Sequence, residues 1–145
     1  MRPRQIYTFM SVCTQSIRHD ATMARAHQLM REHHVRHLPV LDGGVLVGVV
    51  SDRDLRFIET LRDVDDTRVA VEEAMTREPY FVAPDAPLAE VAAKMAEHKY
   101  GCAVVMDGQR VVGMFTTTDA LRALAMVLHE GGAEGVSPPS SRPRA

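Results

Sequence analysis

Slid against itself by 65 positions, the sequence falls back into register over most of its length. Met10 lands on Met75, Asp20 on Asp85, Met30 on Met95, Gly48 on Gly113 and Asp54 on Asp119. Glu32-His33 likewise meets Glu97-His98, and Asp42-Gly43 meets Asp107-Gly108. A register held without insertion across half a chain marks a duplicated supersecondary unit, whose copies bury their apolar faces against each other. The pattern predicts one repeat over residues 9–60, a charged linker over 61–69 and a second repeat over 70–129. From residue 130 the chain is rich in Gly, Pro and Ser and reads as a disordered tail.

Each copy predicts the same element order. A short extended piece, around Ser16-Ile17 and over Tyr80 to Ala83, leads into a helix. In the second copy Asp85 reads as the N-cap with Pro87 in the first turn, where a missing N–H costs nothing. Leu88, Val91, Ala92 and Met95 follow the i, i+3, i+4, i+7 rule, as do Met23, Ala26 and Met30 in the first copy. Two apolar runs around Asp-Gly then predict a hairpin: Leu38 to Leu41 with Val45 to Val50, and Ala103 to Met106 with Arg110 to Phe115. A helix closes each copy, Asp52 to about Leu61 and Thr117 to about Leu128. The unit is β-α-β-β-α and the fold class α+β. Met23, Met30, Met75 and Met95 fall at core periods and read as packing.

Composition excludes several functions. With 145 residues, 46% hydrophobic and 25% charged, the chain is of ordinary soluble type. A net charge of -2 and a pI near 6.4 give no electrostatic footprint for nucleic acid. Aromatics are 5% and Trp is absent, so no stacking platform for single strands is evident. Cys13 and Cys102 lie among small or apolar neighbours and read as buried hydrophobes. The longest apolar run, Val45 to Val50, is far too short for a bilayer, and the N-terminus lacks a leader pattern. The expectation is a cytoplasmic protein with neither membrane nor nucleic acid as partner.

Chemistry concentrates where the last strand of each copy meets its last helix, in GVVSDRD (Gly48 to Asp54) and GMFTTTD (Gly113 to Asp119). Glycine there permits close approach of a ligand or another backbone. Ser51 or Thr116 offers a hydroxyl beside the unpaired N–H groups of a helix start, a ready place for phosphate. Asp54 or Asp119, three residues on, can accept from a ribose diol. The same residues also suit plain helix capping, with Ser51 and Thr116 as N-caps and the aspartates in the first turn.

The two copies, with VRHLPVLD (Val35 to Asp42) before the first hairpin and the G-h-h-[S/T]-x-x-D pattern in both, resemble the tandem CBS-domain pair, or Bateman module, over roughly Phe9 to Leu128. The resemblance implies two repeats packed with pseudo-two-fold symmetry and clefts between them for adenosine ligands: AMP, ADP, ATP, S-adenosylmethionine or, in some members, NAD. It also implies pairing of two modules into a disc-like homodimer and regulation of a partner. Carried over by residue, it assigns Arg36, His37, Gly48, Ser51, Arg53 and Asp54, with Thr76 and Tyr80 from the second copy, to a first cleft. It assigns Gly113, Thr116 and Asp119, with Gly101 and Cys102 in place of Arg36 and His37, to a second and weaker cleft lacking cations for a phosphate.

Other readings are poorer. His33, His34 and His37 cluster, but no Cys pair or His-Glu-x-x-His pattern accompanies them, so no metal is expected. Ser51 has no base at a recognisable spacing and the paired carboxylates have no evident buried cleft, so no catalytic residues, no cofactor and no enzyme activity are expected. The expected function is a regulatory adenine-nucleotide sensor acting on an unknown partner or on its own oligomer. The alternative is a ligand-independent dimerisation or scaffolding module.

Overall fold

A computed structural model describes residues 3–12, 15–61 and 64–131. Cys13 and all but the first two residues of the expected tail lie outside them. In chain order come β1 (Ser11–Val12), β2 (Ile17–Arg18), α1 (Met23–His33), β3 (His37–Asp42), β4 (Val45–Ser51) and α2 (Asp52–Leu61). The second half repeats them as β5 (Thr76–Arg77), β6 (Phe81–Val82), α3 (Leu88–His98), β7 (Cys102–Asp107), β8 (Arg110–Thr116) and α4 (Thr117–Gly131). A single 3-10 turn precedes each half, at Ile6–Thr8 and Val71–Glu73. The hairpins β3–β4 and β7–β8 stand where the apolar runs predict them, and Gly43 and Gly108 supply the positive φ that their turns need.

The halves exchange their leading segments. One sheet has the order β2-β3-β4-β5 and the other β1-β8-β7-β6, so each opening strand pairs with the last strand of the opposite copy. The 3-10 turns follow: Ile6 is buried with Val91, Met95, Ala103, Val105 and Phe115 of the second copy. Val71 is buried with Met23, Leu38, Val50 and Leu55 of the first. A third cluster, Val49, Cys102, Val104 and Met114, joins the two sheets. Neither half has a complete core alone.

The exchange explains the glycine in each motif. A Cβ on Gly48 would stand 2.8 Å from the Thr76 carbonyl oxygen, and one on Gly113 would stand 2.9 Å from that of Ser11. The close approach is another backbone, the incoming strand, in both copies. It also corrects the expected cap of α3. Asp85 is not the N-cap; Pro87 holds that position and no side chain caps the helix. The Leu88 N–H instead donates to the Arg4 carbonyl at 2.7 Å, as Met23 N–H does to Val69 at 2.9 Å. Backbone from the opposite leader thus does the work of a cap side chain. α1 keeps a side-chain cap as well, Thr22 Oγ1 accepting from Arg25 N–H. No helix among the described residues is long and apolar enough to cross a membrane.

Candidate functional site

Both strand-to-helix motifs close on themselves as capping boxes. Ser51 N–H donates to Asp54 Oδ2 at 3.0 Å, and Asp54 N–H donates back to Ser51 Oγ at 3.0 Å. Thr116 and Asp119 repeat the exchange at 2.9 and 3.2 Å. The capping role is therefore present in both copies, whatever else the residues do. Asp119 is held harder than Asp54. It is only 4% exposed, accepts from Ser11 Oγ of the exchanged strand at 2.9 Å, and has Arg122 Nη1 at 3.6 Å. On Asp54, Oδ1 takes no hydrogen bond from the described residues.

A cavity of about 650 Å³ opens between the copies. One wall is the turn from α1 into β3, with His33, His34, Val35, Arg36 and His37. The other is the start of α4, with Thr116, Thr117, Thr118, Asp119 and Arg122, and Ser11, Val12 and Gln15 complete it. Arg36 and His37 are expected beside Ser51 and Asp54. His37 does pair in register with Ser51 and feels the Asp54 charge, and the cavity also sets both residues opposite Thr116 and Asp119. The reason lies in the backbone. The Arg36 carbonyl accepts from Asp52 N–H at 2.9 Å and His37 pairs with Ser51, which ties the main chain to its own copy. The side chains then line a space shared with the other copy. The Thr116–Asp119 cleft thus has the cations it was expected to lack, Arg122 among them, a residue the sequence reading missed.

Ser51, Arg53, Asp54, Thr76 and Tyr80 are not in this wall. Around the equivalent place Tyr80 and Tyr100 stand where Gln15 and Val35 stand in the open cavity, 65 positions earlier. Their rings stack at 5.1 Å, and His98, the counterpart of His33, stacks on Tyr100 at 5.1 Å. Phe57 takes the place of Arg122. Gly48 and Gly113 face incoming strands rather than the cavity, and Cys102 is buried in the inter-sheet cluster. Burial pushes the Cys102 thiol up to about 12, which makes it a hydrophobe and no nucleophile at neutral pH.

Electrostatically the cavity is poised for an anion. Arg36 and Arg122 bring fixed charge, and Arg36 forms no ion pair among the described residues. Asp54 and Asp119 both favour the His37 proton, yet burial outweighs them and Arg36 opposes it too. Its pKa is held below the usual histidine value, so the free site presents a neutral imidazole at pH 7.

The CBS domain family matches the chain over residues 7–59 and 71–126. The CBS domain-containing protein YhcV of Bacillus subtilis is 30% identical over 100 residues, 69% of this chain and 71% of that one. L-aspartate semialdehyde sulfurtransferase of Methanocaldococcus jannaschii is 32% identical over 105 residues, 71% of this chain; those residues are 20% of the length of that protein. Among solved structures, a CBS domain pair in complex with 5'-methylthioadenosine and S-adenosyl-L-methionine superposes with a TM-score of 0.75 at 26% identity, covering 87% of this chain and 99% of that one. CBSX2, a CBS-pair protein of Arabidopsis thaliana, in complex with AMP gives 0.72 at 26% identity, covering 85% and 97%. With two matched domains and the fold of such pairs, the chain belongs to the CBS domain family.

Proposed function

We propose that this chain is a regulatory module that takes one adenine nucleotide, or S-adenosylmethionine, in the cavity between its two repeats. The observation that carries the reading is the meeting of Arg36 and His37 from one copy with Thr116 to Asp119 and Arg122 from the other across about 650 Å³. That volume is within the usual range for small-molecule sites, roughly 300–1,000 Å³. The phosphate would lie between Arg36, Arg122 and the first N–H groups of α4, and the ribose beside the Asp119–Thr116 box. Because both copies contribute, a bound ligand favours whichever relative arrangement of the repeats fits it better. Relatives with AMP or S-adenosylmethionine in their structures support the ligand class. Calorimetric titration of AMP, ATP and S-adenosylmethionine is the test. The reading expects one equivalent of at least one of them per chain; no heat with any returns the chain to the scaffolding alternative.

A pH dependence follows from His37. An anion beside it raises its pKa, so binding takes up a proton and tightens as pH falls below the usual histidine value near 6.5. In His37→Gln this component disappears while the nucleotide's own phosphate titration stays, so the difference between the two profiles isolates it. For the free fold the sign is opposite. The unfolded chain takes up that proton before the folded one does, so His37 removes stability as pH falls through the same window.

The output surface we assign is the pair of closing helices, as a homodimer face. Leu121, Leu124 and Leu128 form an exposed stripe at i, i+3 and i+7 on α4, and Phe57 and Leu61 an exposed pair one turn apart on α2. Five large apolar side chains in water on two corresponding helices suit self-complementary pairing of two copies. Leu121→Glu with Leu124→Glu should convert a dimer at tens of micromolar to a monomer by light scattering; a wild type already monomeric there overturns the assignment.

A further inference from the structure

The two copies differ sharply at one place that the nucleotide cavity does not use. Where α1 meets α2 in the first copy stand His27, Asp52 and Glu59; 65 positions on, the second copy has Ala92, Thr117 and Leu124. The second copy folds with no ionisable group at these three positions. In the first, His27 Nε2 lies 2.5 Å from Glu59 Oε1, with Asp52 Oδ1 3.8 Å from Nδ1 on the ring's other side. Asp66, from the segment joining the repeats, completes a group in which one ligand atom each from His27, Glu59 and Asp66 lies within 4.8 Å of the others. Its main chain is anchored there, the Asp66 carbonyl accepting from Ala24 N–H at 2.9 Å.

We propose that His27, Glu59 and Asp66 form a binding site for a divalent transition-metal ion, of the zinc or manganese class. This departs from the expectation, drawn from His33, His34 and His37, that the chain has no metal site. An imidazole nitrogen with two carboxylates is a donor set that both ions accept. Ligand bonds of about 2.0–2.2 Å around a tetrahedral ion separate the donor atoms by about 3.3–3.6 Å. The three groups lie within 4.8 Å, and the His27–Glu59 pair, hydrogen-bonded at 2.5 Å, would part by about 1 Å to admit the ion. Without an ion, Nε2 carries the proton that Glu59 accepts; an ion would displace that proton, and Asp52, 3.8 Å from Nδ1, would then favour the tautomer protonated on Nδ1. All three ligands are partly buried, and they come from α1, α2 and the connection between repeats. An ion would therefore fasten that connection to the first copy, and being bound only by the folded chain it stabilises the fold.

The variant that separates a metal ligand from a structural clasp is Asp66→Asn, which leaves the His27–Glu59 contact intact. EDTA-treated chain is titrated with Zn²⁺, and separately with Mn²⁺, by equilibrium dialysis and thermal melting. Expected is one equivalent of at least one ion bound, with a raised melting temperature. Asp66→Asn and His27→Gln should each weaken that binding at least about tenfold and abolish the melting shift. His129→Ala, exposed on α4 and outside both sites, should leave both unchanged. Absence of binding of both ions at 1 mM, or an equivalent that survives Asp66→Asn and His27→Gln, overturns the site. Neither result bears on nucleotide binding, which uses other residues.

Discussion

Gly48→Ala and Gly113→Ala are each expected to lower stability by about 1–3 kcal/mol, the usual cost of forcing extra atoms into a packed interior. In melting temperature that is roughly 4–10 °C for a chain of this size. The new Cβ would press on the Thr76 or Ser11 carbonyl oxygen, which belongs to a hydrogen-bonded strand and cannot swing aside. Met75 and Met10, the other neighbours, can move, because their side chains are flexible. The strand displaced in each case leads the opposite repeat, so a local clash loosens both cores. Gly101→Ala is the control: its Cβ would make only ordinary contact, 3.7 Å from His37 Nε2. Thermal melts of the three variants check this, and equal stability of all three with wild type would remove the exchanged strands from the account.

The second large effect is on binding. Arg36→Ala should weaken AMP about ten- to a hundredfold, since a hydrogen bond to a charged group contributes about 1.5–3 kcal/mol. Asp54→Ala should change it by less than about threefold, because Asp54 is outside the cavity wall. Asp119→Ala should cost affinity and stability together, as Ser11 and Thr116 lose their acceptor. Asp119→Asn keeps one oxygen to accept from Thr116 N–H and an amide that can donate to Ser11 Oγ, and so separates the two losses. Calorimetry on the four variants reads the order. A larger loss in Asp54→Ala than in Arg36→Ala would restore the grouping expected from sequence and move the ligand to the other cleft.

The way the cavity draws its walls from both copies shows what a sequence of this kind conceals. Helices and hairpins were legible because their periods, 3.6 and 2, run over many residues and are written twice. β1 and β5 have two residues each, too few for any period, and they pair across copies. The one visible signal was the glycine. Gly48 and Gly113 announce a backbone at close range, and Met10 and Met75 open the matching segments that supply it. The grouping of the site was hidden differently. Arg36 belongs to its own copy by main-chain hydrogen bonding and to the other by the direction of its side chain, and linear spacing records only the first. Asp85 failed as a cap for a related reason: the acceptor for Leu88 comes from Arg4, far away in sequence.

Amide chemical-shift mapping of AMP on the labelled chain tests most directly whether nucleotide occupies the cavity shared by the two repeats. Expected are shifts in two separated stretches at once, residues 33–38 and 116–122, with little change at Arg53, Asp54, Tyr80 and Tyr100. Shifts centred on Arg53, Asp54 and the Tyr80–Tyr100 stack, with the α1–β3 turn silent, would contradict that occupancy.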